Sequence, residues 1–337
     1  MENPVLVEVT RGGRVESRHR GAVAVCDADG AVVLALGDIT VPVFARSAVK
    51  ALQALPLVES GIADRFGLTP GELALACSSH SGEAAHVAAA AAMLARAGLG
   101  EAALECGVHW PANAGAARDL ARAGALPTAL HNNCSGKHAG FLCLACGLGA
   151  QPRGYVHAAH IVQREVKAVI EALTGARLDA ALCGTDGCSI PAYAVPLRAL
   201  ALGFARFGSG TGMAPLRAAA AARLRAAVAA NPFMVAGSGQ FDTDVMTALG
   251  ARAFTKTGAE GVFCASLPGQ GLGIALKCDD GATRAAEVLM ACLTSRFMPL
   301  SASETAALAP RVRPVLRNWN GIETGFIAAS AALMPKA

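Results

Sequence analysis

Charge is scarce in this chain: 16% of its 337 residues are Asp, Glu, Lys or Arg, while 53% are hydrophobic. That balance excludes intrinsic disorder, which needs the reverse. A clean apolar run of about 18 residues is also missing, because each Ala-rich stretch is broken by Arg, Glu, His or Gly, so a spanning helix is excluded. There is no basic block; the net charge of +4 is thinly spread, which argues against a nucleic-acid partner. The first residues, Met-Glu-Asn-Pro, lack the basic-then-apolar pattern of an export signal, and the expected location is cytoplasmic. Aromatics are few, at 4%.

Eleven cysteines are present, an odd number that argues against a full disulfide framework, and a reducing compartment points the same way. Cys143 and Cys146 sit in an apolar run and read as core residues. Cys134 and Cys188 differ, lying in polar, Gly-flanked surroundings. The paired short spacings of common zinc motifs are absent.

Regular βαβ alternation is missing too, so a doubly wound sheet is not expected. Residues 22–26 and 31–36 flank Asp-Ala-Asp-Gly, a hairpin signal. Residues 261–266 and 271–278 read as paired strands, and 322–328 as a last strand. Helices are predicted over 47–57, 82–98, 135–147, 157–174, 213–230 and 283–294. The expected fold class is α+β: one catalytic unit with an antiparallel sheet built from both chain ends and packed with helices. A mainly helical subdomain is expected as an insertion over roughly 82–230.

Five polar stretches interrupt the apolar sequence. Arg46-Ser47-Ala48-Val49-Lys50 places a serine and a lysine on one helix face, where a neutral amine could deprotonate the hydroxyl. Taken alone, that spacing is common in exposed helix turns. Cys77 to Glu83 (Cys-Ser-Ser-His-Ser-Gly-Glu) precedes a helix and could cradle an oxyanion or simply cap that helix. His131 to His138 and Cys183 to Pro191 are dense polar turns; Cys134 and Lys137 can converge at the start of a helix. Lys256-Thr257-Gly258 stands beside a strand, a known partner of Ser-x-x-Lys in penicillin-binding enzymes, with the glycine expected to let substrate approach the backbone.

Together with Cys-Gly-Val-His-Trp-Pro (106–111) and Val-Ala-Gly-Ser-Gly-Gln-Phe-Asp-Thr (235–243), these motifs run in the order of a known family. Over nearly its full length the chain resembles the Asparaginase II family, the Rhizobium etli-type L-asparaginases. The resemblance implies a fold similar to serine β-lactamases and glutaminases, and hydrolysis of L-asparagine to L-aspartate and ammonia. It implies two catalytic Ser–Lys tandems, Ser47 with Lys50 and Ser79 with Lys256. A zinc ion (Zn2+) held by Cys134, Lys137, Cys188 and water is implied as well; two thiolates weaken a metal's acidity, so the expected role is shaping the pocket or gripping the substrate's α-amino and carboxylate ends rather than generating the nucleophile. Arg46, His80, His138 and Asp186 are the implied substrate contacts, and a homodimer the implied assembly. The sequence departs from the family at Gln240, where arginine is expected. Three other readings share some of these features: a β-lactam-interacting serine acyl hydrolase, a glutaminase and a non-catalytic zinc-binding protein. The first should carry a Ser-Asp-Asn or Ser-x-Asn element in its helical region, and none is suitably placed.

Overall fold

The computed structural model describes residues 2–333. The chain opens with β1 (Val5–Arg11), β2 (Arg14–Asp27), β3 (Val32–Leu36) and β4 (Pro42–Phe44). Then come α1 (Lys50–Glu59), α2 (Ile62–Arg65), α3 (Pro70–Ala76), α4 (Ala84–Arg96), α5 (Ala114–Arg122), α6 (Ser135–Gly147) and α7 (Ile161–Thr174). A short hairpin, β5 (Cys183–Thr185) and β6 (Pro191–Pro196), leads to α8 (Leu197–Ser209), α9 (Pro215–Ala230), α10 (Pro232–Ala236) and α11 (Phe241–Leu249). The last part returns to the sheet through β7 (Phe254–Thr257), β8 (Val262–Leu267) and β9 (Leu272–Cys278). It closes with α12 (Thr283–Phe297), α13 (Ala302–Val312), β10 (Val315–Arg317) and β11 (Glu323–Ala329).

Strands from both chain ends form one antiparallel sheet in the order β10-β11-β1-β2-β9-β8-β7, with β3 added against β2. This is the expected α+β architecture. The 14-residue β2 is its spine: its first half pairs with β1 and its second with β9 and β3. Alternation along β2 sends Ala22, Ala24 and Cys26 into one core and Val23 and Val25 into the other. Both faces of the sheet are therefore covered. One core joins the sheet to α1, α3, α4, α6, α7, α8 and α9; the other joins it to α11, α12 and α13.

Local signals explain several element ends. Thr69 caps α3: its hydroxyl accepts the Glu72 N–H at 3.3 Å, and the Glu72 carboxylate accepts the Thr69 N–H at 2.7 Å. Helices α7 and α8 stop where Gly175 and Gly210 adopt φ of 67° and 78°. The predicted helix over 47–57 divides in two. Arg46–Val49 is a 3-10 turn, and the α-helix starts only at Lys50. Helix α6 and strands β8, β9 and β11 fall within a residue of their predicted ranges. Helix α8, which the sequence reading left unassigned, lies directly on the sheet. At Gly273 of β9 an added Cβ would come within 2.0 Å of Ala201 O and 2.3 Å of Ala205 N.

Gly273→Ala must push α8 off the sheet. The expected loss is about 1–3 kcal/mol of unfolding free energy or more, read from the shift in denaturant midpoint at unchanged slope.

Candidate active site

A cavity opens between the 46–50 turn, α1, α7 and β6, and its wall includes Arg46, Ser47, Lys50, Gln53, Lys137 and Asp186. The 3-10 turn places Ser47 and Lys50 three residues apart, and in that geometry i and i+3 eclipse. Strand β7 ends against this turn. A Cβ on Gly258 would meet Val262 O at 3.0 Å and Ala45 O and Ala48 N at 3.2 Å. The glycine of Lys-Thr-Gly thus admits the chain's own 45–48 backbone, rather than leaving room for substrate.

Lys50 is the most constrained group here. It is 1% exposed, and its Nζ lies 2.6 Å from Ser78 O, 2.9 Å from Ser79 Oγ and 3.1 Å from Cys134 Sγ. Burial pulls its pKa down, against the opposing pull of Cys134, and the neighbouring Lys137 lowers it further. The hydroxyl that Lys50 touches is therefore Ser79, not Ser47. Spacing alone pairs Lys50 with the serine on its own turn, whereas the fold brings the loop after α3 down onto the amine.

Lys256 does not hydrogen-bond Ser79, the partner expected for it. Its Nζ donates to Thr257 O at 2.8 Å and lies 3.8 Å from the Asp242 carboxylate. Burial brings its pKa down to about 8; Asp242 opposes the shift and Lys50 adds to it, so Lys256 acts on the cluster through its field. Asp242 is itself buried, accepting the Thr255 hydroxyl at 2.9 Å and the Thr257 N–H at 3.0 Å. Sequence reading passed over this residue. Its signal was an acid opening α11 directly after Gly-Ser-Gly-Gln-Phe.

Asp186 and Cys188 sit on the loop joining β5 to β6, closed by Asp186 N–H to Ile190 O at 2.9 Å. The Arg46 Nε lies 3.0 Å from Asp186 Oδ2. To reach there, Arg46 adopts φ of 49°, the left-handed region a side chain rarely occupies. Lys137 and Arg46 hold the Asp186 carboxyl below its usual range although burial works the other way.

His80 and His138 were both expected to touch substrate, yet neither lines the cavity. His80 uses both ring nitrogens internally, with Ser135 Oγ at 2.8 Å and the Gly82 N–H at 3.1 Å. His138 Nδ1 lies 2.6 Å from the Tyr155 hydroxyl. That hydroxyl already accepts the Glu105 N–H at 2.9 Å, so its hydrogen points to Nδ1. Nε2 then carries the ring hydrogen, buried and without a partner. Burial keeps both rings neutral. The segment near Gln240 carries an arginine after all: Arg311 of α13 donates to Gly239 O at 2.8 Å.

Cys134, Lys137 and Cys188 are gathered in one buried place. Lys137 Nζ is 3.0 Å from Cys188 Sγ. The Cys188 thiol, followed by Lys137 and Lys50, draws the Cys134 pKa far below that of a free thiol, against the effect of burial. Cys188 is pushed up and keeps its proton, its contact with Cys134 being the largest cause. Among the described residues no group of three or more His, Cys, Asp or Glu side chains is placed to hold a metal. This set has a lysine as its third member, and two soft sulfurs with an amine suit zinc chemically. All eleven cysteines are free. No helix among the described residues is long and apolar enough to cross a membrane.

The L-asparaginase II family model matches residues 7–329, a span that holds every residue of the cavity wall. The chain belongs to the L-asparaginase II family. It is accordingly an amidohydrolase acting on a small molecule. No curated protein matches it. Crystal structures of Mglu are similar at 17% identity, one in its native form (TM-score 0.46, covering 88% of this chain and 68% of that one) and one in its L-glutamate-binding form (TM-score 0.46, 88% and 63%). The latter fit means that this chain spans less than two thirds of that Mglu chain. A β-lactamase from Mycobacterium bovis is similar at 13% identity, TM-score 0.33, covering 86% of this chain and 94% of that one.

The Lys256 shift has a stability consequence with a definite sign. Folding lowers its pKa from 10.5 to about 8. Between those values the unfolded chain binds more protons, so stability rises with pH. Buried Cys77, pushed up to about 12, works oppositely above the free-thiol value of 9.0. The wild type should therefore gain in unfolding temperature relative to Lys256→Met as pH rises from about 7 to about 9. A constant difference across that range would refute the assignment.

Proposed function

We propose that this amidohydrolase converts L-asparagine to L-aspartate and ammonia through a serine acyl-enzyme. The observation that carries the reading is Lys50, an almost wholly buried amine on the cavity wall, three residues from Ser47 and 2.9 Å from Ser79 Oγ. Burial favours its neutral form, and a neutral amine beside hydroxyls is a general base.

In this reading Ser47, which faces the cavity, attacks the side-chain amide and its proton reaches Lys50 by way of Ser79. The proton passes to the departing nitrogen, ammonia leaves, and water hydrolyses the ester. Ser79 holds the amine and relays protons, and Lys256 sets the potential. Arg46 and Asp186 receive the substrate's α-carboxylate and α-ammonium. His138 is fixed by the Tyr155 hydroxyl and contributes packing only. The Lys50–Ser79 contact favours a second assignment, in which Ser79 attacks.

Cys134, Lys137 and Cys188 would hold zinc, with Lys137 giving up its proton to do so. Bound there, zinc would supply a fixed positive charge that shapes the wall beside Asp186. The resemblance to Rhizobium etli-type enzymes extends the proposal to a homodimer. Selectivity over glutamine rests on one methylene, worth about 1–3 kcal/mol in a pocket.

A coupled ammonia assay with asparagine and glutamine side by side should show asparagine preferred; no ammonia from either would overturn the reading. Ser47→Ala should cut kcat by more than about a thousandfold and abolish the acyl adduct seen by mass spectrometry. An adduct mapped to residue 79 would instead establish the second assignment. Cys188→Ser should lower bound zinc per chain, measured by elemental analysis, and exhaustive chelation should leave turnover measurable at saturating asparagine.

A further inference from the structure

Seven buried side-chain nitrogen or oxygen atoms among the described residues lack a hydrogen-bond partner. One of them, Gln53 Oε1, belongs to a residue lining the cavity. Gln53 is 6% exposed and lies one turn beyond Lys50 on α1, in the otherwise apolar run Ala-Leu-Gln-Ala-Leu-Pro-Leu-Val. A second glutamine on the same wall shows what a committed amide looks like: Gln163 Nε2 donates to Tyr155 O at 2.9 Å. A buried acceptor left without a donor is costly, and such an atom in a residue that lines a cavity marks where a ligand's donor belongs.

The kind of donor follows from its surroundings. Charged groups on this wall already have polar or charged company, Arg46 with Asp186 at 3.0 Å and Lys137 with Cys188 at 3.0 Å. A neutral carbonyl is a poor sole partner for a charged ligand end in a buried place, and a good one for a neutral N–H. Helical side chains lean toward the N-terminus, so the Gln53 head reaches back toward Lys50. The scissile amide must sit beside that base.

We infer that Gln53 is a specificity-determining residue: its Oε1 accepts an N–H from the carboxamide nitrogen that leaves as ammonia. The inference rests on the amidohydrolase reading above and adds to it how an amide is told from an ester. An ester presents no N–H, and the buried oxygen then stays unpartnered.

The test compares L-asparagine with L-aspartate β-methyl ester on the full-length enzyme and on Gln53→Leu. The ratio of kcat/KM for amide over ester should fall about tenfold or more in the variant, with ester turnover close to wild type. An equal loss on both substrates, or an unchanged ratio, would overturn the inference and leave the amidohydrolase reading standing. A wild-type enzyme that cleaves neither substrate would remove that reading, and the inference with it. If Gln53→Leu does not fold, judged by its unfolding transition, Gln53→Met gives the same comparison.

Discussion

A lysine amine in the apolar interior is the constraint around which this molecule is arranged. A charge in such a place is expensive unless it is neutralised or met by polar atoms. Here it is met on three sides by Ser78 O, Ser79 Oγ and Cys134 Sγ. Those atoms come from the segment after α3 and from the residue before α6, so one side chain of α1 staples two other parts of the helical layer. The packing that hides the amine is also what lowers its proton affinity. Structure and chemistry share one cause.

The same contrast runs through the cysteines. Cys77, Cys143 and Cys264 are fully buried, and burial is the largest cause raising each thiol, the first two to about 12. Such thiols are inert. Cys134 is nearly as buried, yet two lysines and a neighbouring thiol turn the balance the other way. Whether a buried sulfur is filler or reagent is decided by what stands within hydrogen-bond reach, and sequence shows this only faintly, as glycines and polar residues nearby.

Much of the fold was legible because it follows from local pattern. The paired apolar runs 261–266 and 271–278 announced β8 and β9, and the run 135–147 announced α6, which is buried on almost every side. Antiparallel strands at both ends of the chain followed from the absence of βαβ alternation. The site was legible as a set of residues and less so as a set of contacts. Residue spacing reports which side chains share a helix face, not which loop descends on them. That is why Lys50 meets Ser79, why Lys256 turns to Asp242, and why His80 spends both its nitrogens on the scaffold. The backbone role of Gly258 was hidden for the same reason: its close neighbours, Ala45 and Ala48, lie more than two hundred positions away in the chain. Gln53 was visible in principle, as one polar letter in an apolar helix.

Position 46 is caught between backbone and side chain. Its φ of 49° suits glycine, and a side chain there costs about 1–3 kcal/mol. Glycine, however, would remove the cation that faces Asp186. Selection for thermal robustness alone would favour glycine, whereas, on the proposed reading, selection for turnover would keep arginine. If that reading holds, libraries screened under each pressure should part company at this codon, and residue 46 would gauge how much rigidity this scaffold forgoes for activity.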